Sequence, residues 1–174
     1  MIPPDYSDPF DVAGQQVTIR TMHPADRRIE AEFVNGLSQK SRYQRFHGAM
    51  RELPTKMLDR FTHPDYPDEM ALIATITENG EEREIGVARY ARTTEPGHAE
   101  VAIVVSDEWH GKGIGTRLLR DLRELAMQAG YRHLEVSILS DNKPMLELAR
   151  ELGFENTPSH SGYPEITLGK GLDQ

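Results

Sequence analysis

Residues 100–115, Glu-Val-Ala-Ile-Val-Val-Ser-Asp-Glu-Trp-His-Gly-Lys-Gly-Ile-Gly, leave the chain little freedom in how it folds around them. The run 101–105 is apolar, rich in β-branched residues and free of turn formers, which suits a buried strand. Residues 106–110 break that pattern. Gly111, Gly113 and Gly115 then alternate, and Leu118, Leu119, Leu122, Leu125, Ala126 and Ala129 repeat with a helical period. Glycines so spaced let backbone N–H groups converge on one point, and a helix start behind them adds partial positive charge. The expectation is an anion site, for phosphate or pyrophosphate, between a strand over 98–105 and a helix over 112–129.

The rest of the chain falls into order around this unit. Residues 1–14, with Pro3, Pro4, Pro9 and Gly14, read as an extended or disordered lead-in, and 15–174 as a single domain. A first strand over 15–22 is followed by three helices, placed by Ile29, Phe33, Val34 and Leu37, by Tyr43 and Phe46 behind a Ser38 cap, and by Met57, Leu58 and Phe61. Strands follow over 70–77 and 85–92, joined by the hairpin pair Asn79-Gly80. Beyond the central unit come a strand over 132–139, a helix over 141–152 stopped by Gly153, and strands over 154–157 and 163–168. A strand–helix–strand over 98–139 is most simply a parallel pair with a helical crossover, and the hairpins around it make the sheet mixed. The fold class is α/β (α+β), one mixed central sheet of about six to seven strands flanked by helices.

Charge and composition exclude several classes. A net charge of −8 argues against nucleic-acid or anionic-membrane partners, both of which call for a basic face. With no cysteine there is no disulfide framework, thiolate metal site or cysteine acyl-enzyme. The N-terminus lacks the basic and apolar regions of a signal peptide, and no apolar run reaches the ~20 residues of a membrane span. A cytoplasmic location is the resulting expectation. The seven histidines show no His-x-x-x-His spacing, so no metal is expected, although His98 shares a strand face with Glu100.

His110-Gly111-Lys112-Gly113-Ile114-Gly115 resembles the Gln/Arg-x-x-Gly-x-Gly/Ala acyl-CoA signature of the GNAT N-acetyltransferases, with His in place of Gln or Arg. The order of elements from about Val17 onward is also that of the GNAT fold. Residues 99–115, 37–46 and 141–154 are similar to the GNAT domain of bacterial Pat-type protein lysine acetyltransferases. The resemblance implies acetyl-CoA as cosubstrate, no metal, and a protein lysine as acceptor, with a small-molecule amine or a non-catalytic CoA-binding module as the alternatives. A homodimer stays open.

By that resemblance Glu100 is the catalytic general base. A carboxylate in an apolar strand is costly unless paired, hydrated or useful, and partial burial would raise its pKa toward what an ammonium acceptor requires. The bland alternative is a solvated strand-end Glu paired with a basic neighbour. For the cosubstrate, the resemblance implies backbone groups of Ile103, Val104 and Val105 along the pantetheine and the loop His110, Gly111, Lys112, Gly113, Ile114, Gly115 and Thr116 at the pyrophosphate. Lys112 or Arg117 would add charge there, and Asn142 would touch the CoA arm. The family's tyrosine for the leaving thiolate falls at Ala149, so no general acid is assigned. The acceptor would be read by loops at 47–69 and 156–164, with the cluster 42–46 either bordering its site or packing between helices. A dinucleotide fingerprint at the glycines fails because Thr116 stands where a third glycine is needed.

Overall fold

The computed structural model describes residues 3–46, 54–157 and 165–172. Eight strands form one sheet in the order β1-β2-β3-β4-β5-β6-β8-β7. They are β1 Ser7–Val12, β2 Gln15–Thr21, β3 Glu69–Glu78, β4 Glu81–Arg92, β5 His98–Val105, β6 His133–Leu139, β7 Glu155–Asn156 and β8 Glu165–Gly171. Every pairing is antiparallel except β5 with β6. The helices are α1 Arg27–Asn35, α2 Gln39–Phe46, α3 Thr55–Thr62, α4 Ile114–Gln128 and α5 Lys143–Glu151.

Eight strands exceed the expected six to seven because the lead-in itself pairs. β1 joins β2 across a turn at Ala13 and Gly14, both with positive φ. Pro9, read as a breaker, is tolerated because β1 is an edge strand with one side free of ladder bonds. Phe10 and Val12 pack on the core beneath, and Arg117 of α4 grips Asp8 with two bonds of 2.9 and 3.0 Å.

Two apolar layers sandwich the sheet. Leu118, Leu119, Leu122 and Leu125 of α4 and Leu146 of α5 meet one face, where Ala99 and Val101 of β5 are buried. Ile29, Phe33 and Val34 of α1 and Leu58 of α3 meet the other, with Val87 and Val104. The alternation read along β5 is therefore seen: odd-numbered residues face α4 and even-numbered residues face α1 and α3. Ser38 caps α2 as expected, its hydroxyl accepting the Ser41 N–H at 3.1 Å.

An ionic cluster is buried within the second layer. Glu30 of α1 is fully buried and accepts a 2.8 Å bond from Arg89 of β4, whose guanidinium lies 4.2 Å above the Phe61 ring. Glu84 is buried beside Glu30, and burial followed by that neighbouring carboxylate pushes its carboxyl well above the usual range.

Candidate active site

The parallel pairing of β5 with β6 determines the site. Ladder partners run from His98↔His133 to Val101↔Val136 and stop there, although both strands continue. Beyond Val101 the strands part, and a cleft of about 590 Å³ opens between them. It is walled by residues 100–105 of β5, by Val136, Ser137 and Ile138 of β6, and by the starts of α4 and α5.

Backbone parity says which groups of β5 face that opening. Thr93 N–H donates to His98 O at one end of the β4–β5 ladder, and Ser106 N–H donates to Ile85 O at the other. Even-numbered residues thus turn their backbones to β4 and odd-numbered residues turn theirs to β6. Ile103 and Val105 present polar groups to the cleft. Val104 does not, so the expected trio of backbone contributors narrows to two. Of these, Val105 O already meets His110 Nε2 at 2.7 Å, and the Ile103 N–H and C=O and the Val105 N–H lie beyond the end of the β5–β6 ladder.

His110, which stands where the resembled pattern has Gln or Arg, makes that contact through its ring. Its ring ties the glycine loop to the end of β5. Gly111 and Gly113 take positive φ of 71° and 83°, and Gly113 is the N-cap of α4 without any side-chain cap. Among the first-turn donors, Ile114, Gly115 and Thr116 therefore keep free N–H groups at the cleft wall, as a helix start leaves them. Gly115 has a different role: a Cβ there would stand 3.2 Å from Leu148 Cδ2 and 3.7 Å from Ile103 Cδ1. Its lack of a side chain lets α4 start against β5 and α5.

The expected cation partners fare differently. Lys112 is exposed, outside the cleft lining, with its Nζ 5.9 Å from the centre of the Trp109 ring. Arg117 is committed to Asp8 and stacks at 4.2 Å over Phe10, so it is not available for phosphate. Asn142 lines the cleft as the N-cap residue of α5, and its side chain makes no cap bond.

Glu100 lies at the lip of the cleft on the α1–α3 side and is exposed. The expected partial burial is absent, although β5 is paired on both sides at this point. The carboxylate is exposed at the cleft opening. Opposite it, Ser41, Gln44, Arg45 and Phe46 of α2 complete the wall. Arg45 is half-buried over the Phe46 and Phe61 rings, at 4.8 and 5.6 Å. Burial, followed by Arg89, pushes its guanidinium down to about 10, against the opposing pull of Glu30 and Glu100. Of the cluster 42–46, Gln44, Arg45 and Phe46 line the cleft while Arg45 and Phe46 also pack against α3. Ser41 Oγ donates to Asp107, which fastens α2 to the loop after β5.

Sequence reasoning missed the α5 wall. Met145, Glu147, Leu148 and Glu151 line the cleft at helical spacing, a signal present in the sequence but indistinguishable from ordinary amphipathicity. Ala149, at the family's tyrosine position, is fully buried. The proposed acceptor loops fall partly on residues 47–53 and 158–164, outside the described residues. No described helix is long and apolar enough to cross a membrane.

Comparison with known proteins gives this geometry its context. The chain is 36% identical over 141 residues to Acetyltransferase PA5475 of Pseudomonas aeruginosa, covering 81% of this chain and 76% of that one. It is 29% identical over 145 residues to Acetyltransferase Pat of Mycolicibacterium smegmatis, but spans only 41% of that protein's length. The GNAT domain of S. lividans PAT superposes with a TM-score of 0.85 at 26% identity, covering 95% of this chain and 96% of that one. The sequence profile described as Acetyltransferase (GNAT) family matches residues 38–154, from α2 through the cleft to the end of α5. The chain belongs to the GNAT acetyltransferase family.

Proposed function

We propose that this enzyme transfers the acetyl group of acetyl-CoA to the side-chain amine of a protein lysine, with Glu100 as general base. The observation that carries the reading is the parting of β5 from β6 beyond Val101, which places a free backbone edge, an uncapped helix start and an exposed carboxylate around one cleft. The similarity to two Pat proteins supports the protein acceptor.

The residues present fit acetyl-CoA. Free N–H groups of residues 114–116 suit the pyrophosphate, and the field of α4 favours its charge. The edge formed by Ile103 and Val105 suits the amides of an extended arm, which would add to the sheet as a strand does. Asn142, uncapped, supplies a further polar contact from the opposite wall. The cosubstrate supplies the acetyl group as a thioester. Glu100 takes the proton that an alkylammonium must lose before its nitrogen can attack, directly or through a water at the exposed lip. The new bond is the amide and the broken bond is the thioester C–S; the second proton on the attacking nitrogen is lost as the amide forms and balances the departing thiolate. The thiol's ordinary pKa, not far above neutral, lets it depart without an assigned acid.

The test is CoA release from acetyl-CoA with lysine-bearing proteins, polyamines and amino acids as acceptors, read by thiol detection and by mass spectrometry of products. Glu100→Gln should lower kcat on the preferred acceptor by about a hundredfold or more, the range that general-base removal produces, with little change in KM for acetyl-CoA. Turnover restricted to small amines would discard the protein acceptor and keep the base. A Glu100→Gln enzyme of unchanged kcat would remove Glu100 from the chemistry.

A further inference from the structure

Three ionisable side chains outside the proposed chemistry meet where β5 and β6 are still paired. The parallel register sets His98 beside His133 and Glu100 beside Glu135. His98, His133 and Glu135 are each half-buried and offer ligand atoms within 4.8 Å of one another. The two imidazole rings lie 4.4 Å apart, centre to centre, tilted by 35°.

The nitrogens of His98 are differentiated. Nδ1 is buried, makes no hydrogen bond, and stands 3.7 Å from Glu135 Oε1. Nε2 faces outward to Glu95 Oε1 at 3.5 Å. A histidine that turns one nitrogen to a carboxylate and keeps the other, unbonded, near a second carboxylate and within reach of a second imidazole's ligand nitrogen has the arrangement of a metal ligand with its outer partner. The neighbouring strand makes room for the His133 ring: β8 places Gly171 beside His133 and Gly169 beside Glu135. A Cβ at Gly169 would come within 2.7 Å of His133 Nε2, so the ring occupies room that only glycine provides.

We propose that His98, His133 and Glu135 bind a divalent transition-metal cation of the Zn²⁺ class, with Glu95 orienting His98 from outside. Two imidazoles and one carboxylate form a donor set suited to Zn²⁺, Ni²⁺ or Cu²⁺ and poorly suited to Mg²⁺ or Ca²⁺, which prefer oxygen. Zinc bonds of about 2.0–2.2 Å require the ligand atoms to draw together by roughly 1 Å from their present spread, within reach of small side-chain rotations. Three protein ligands leave a fourth position for water. The site does not depend on the acetyl-transfer reading, and its failure would leave that reading intact.

The experiment is calorimetric titration of tag-free, chelator-treated protein with ZnCl₂, paired with the visible absorption of added Co²⁺. One Zn²⁺ per chain should bind, and tetrahedral Co²⁺ bands should appear and be displaced by Zn²⁺. Glu135→Gln, close to isosteric, and His133→Ala should each weaken binding by roughly tenfold or more, the size of effect that losing a metal partner produces. His63→Ala, at the end of α3, should bind as the unaltered protein does. Thermal melts in chelator establish that the variants fold, and Glu135→Gln keeps the test decisive if His133→Ala does not. Absence of stoichiometric uptake, or uptake unchanged in a folded Glu135→Gln protein, would overturn the proposal.

Discussion

Gly113 concentrates the local demands on the cleft in one residue. Its φ of 83° lies in the left-handed region, and a Cβ would meet no atom within 4 Å. Gly113→Ala therefore tests the backbone alone, at a cost of about 1–2 kcal/mol. For a chain of this size that corresponds to a melting temperature lower by ~2–8 °C. If the free N–H groups of α4 hold the pyrophosphate, relaxing the strained turn should raise KM for acetyl-CoA several-fold and leave kcat at saturation nearly unchanged. Initial-rate kinetics with varied acetyl-CoA check this, and an unaltered KM would separate the glycine turn from cosubstrate binding. The glycines were legible in the sequence because alternate Gly after a β-branched run is rare without a structural cause. The backbone roles within β5 were not. Whether residue 103, 104 or 105 faces the cleft depends on which strand lies on each side, information that the strand's own side chains do not carry.

Elements were legible where one periodicity dominated, and obscured where turn formers sat inside a strand. The limits of β5 are those of the expected strand over 98–105, and α4 begins two residues after the expected start. β1 was hidden because Pro9 reads as a breaker, while its pairing depends on a partner strand and on α4 beneath. That docking also creates a titratable contact. Asp121 of α4 is buried opposite Asp8 and Tyr6 of the β1 segment, and its Oδ2 has no hydrogen-bond partner. Burial first, and then Asp8, push its carboxyl up to about 7, while Arg117 holds Asp8 below the usual range. An acid whose folded pKa is raised contributes stability that is full below its unfolded value, near 3.8, and is lost as pH rises through about 7. Asp121→Asn, which keeps the shape and removes the charge, should therefore melt higher than the unaltered protein at pH 8. With about 1 kcal/mol recovered, the gain is ~2–4 °C, and it should vanish near pH 4. A gain of equal size at both pH values would assign it to packing rather than to the proton.

At the scale of the whole molecule, the pairing of His98 with His133 and the acidity of the cleft mouth are both consequences of register. The two histidines are far apart in the chain and match no local spacing, and the parallel β5–β6 ladder alone makes them neighbours. The same ladder and the length of α5 gather Glu100, Glu147 and Glu151 at the cleft, on a body of net charge −8. Such a surface acts with opposite sign on the two substrates of the proposed reaction. It attracts a cationic lysine acceptor and repels the polyanionic cosubstrate, which only the local field of α4 and the free N–H groups welcome. Salt screens these long-range forces, with a Debye length that shrinks from about 10 Å at 0.1 M to about 3 Å at 1 M. Raising KCl across that range should raise KM for a lysine-rich protein acceptor by roughly three- to tenfold, while KM for acetyl-CoA falls or stays level. The opposite signs matter, because damage to the enzyme by salt would raise both constants together. Initial rates with each substrate varied at saturating levels of the other decide it. Parallel rises, or no change in the acceptor KM, would show that the acidic mouth does not guide the acceptor and that recognition rests on contacts inside the cleft.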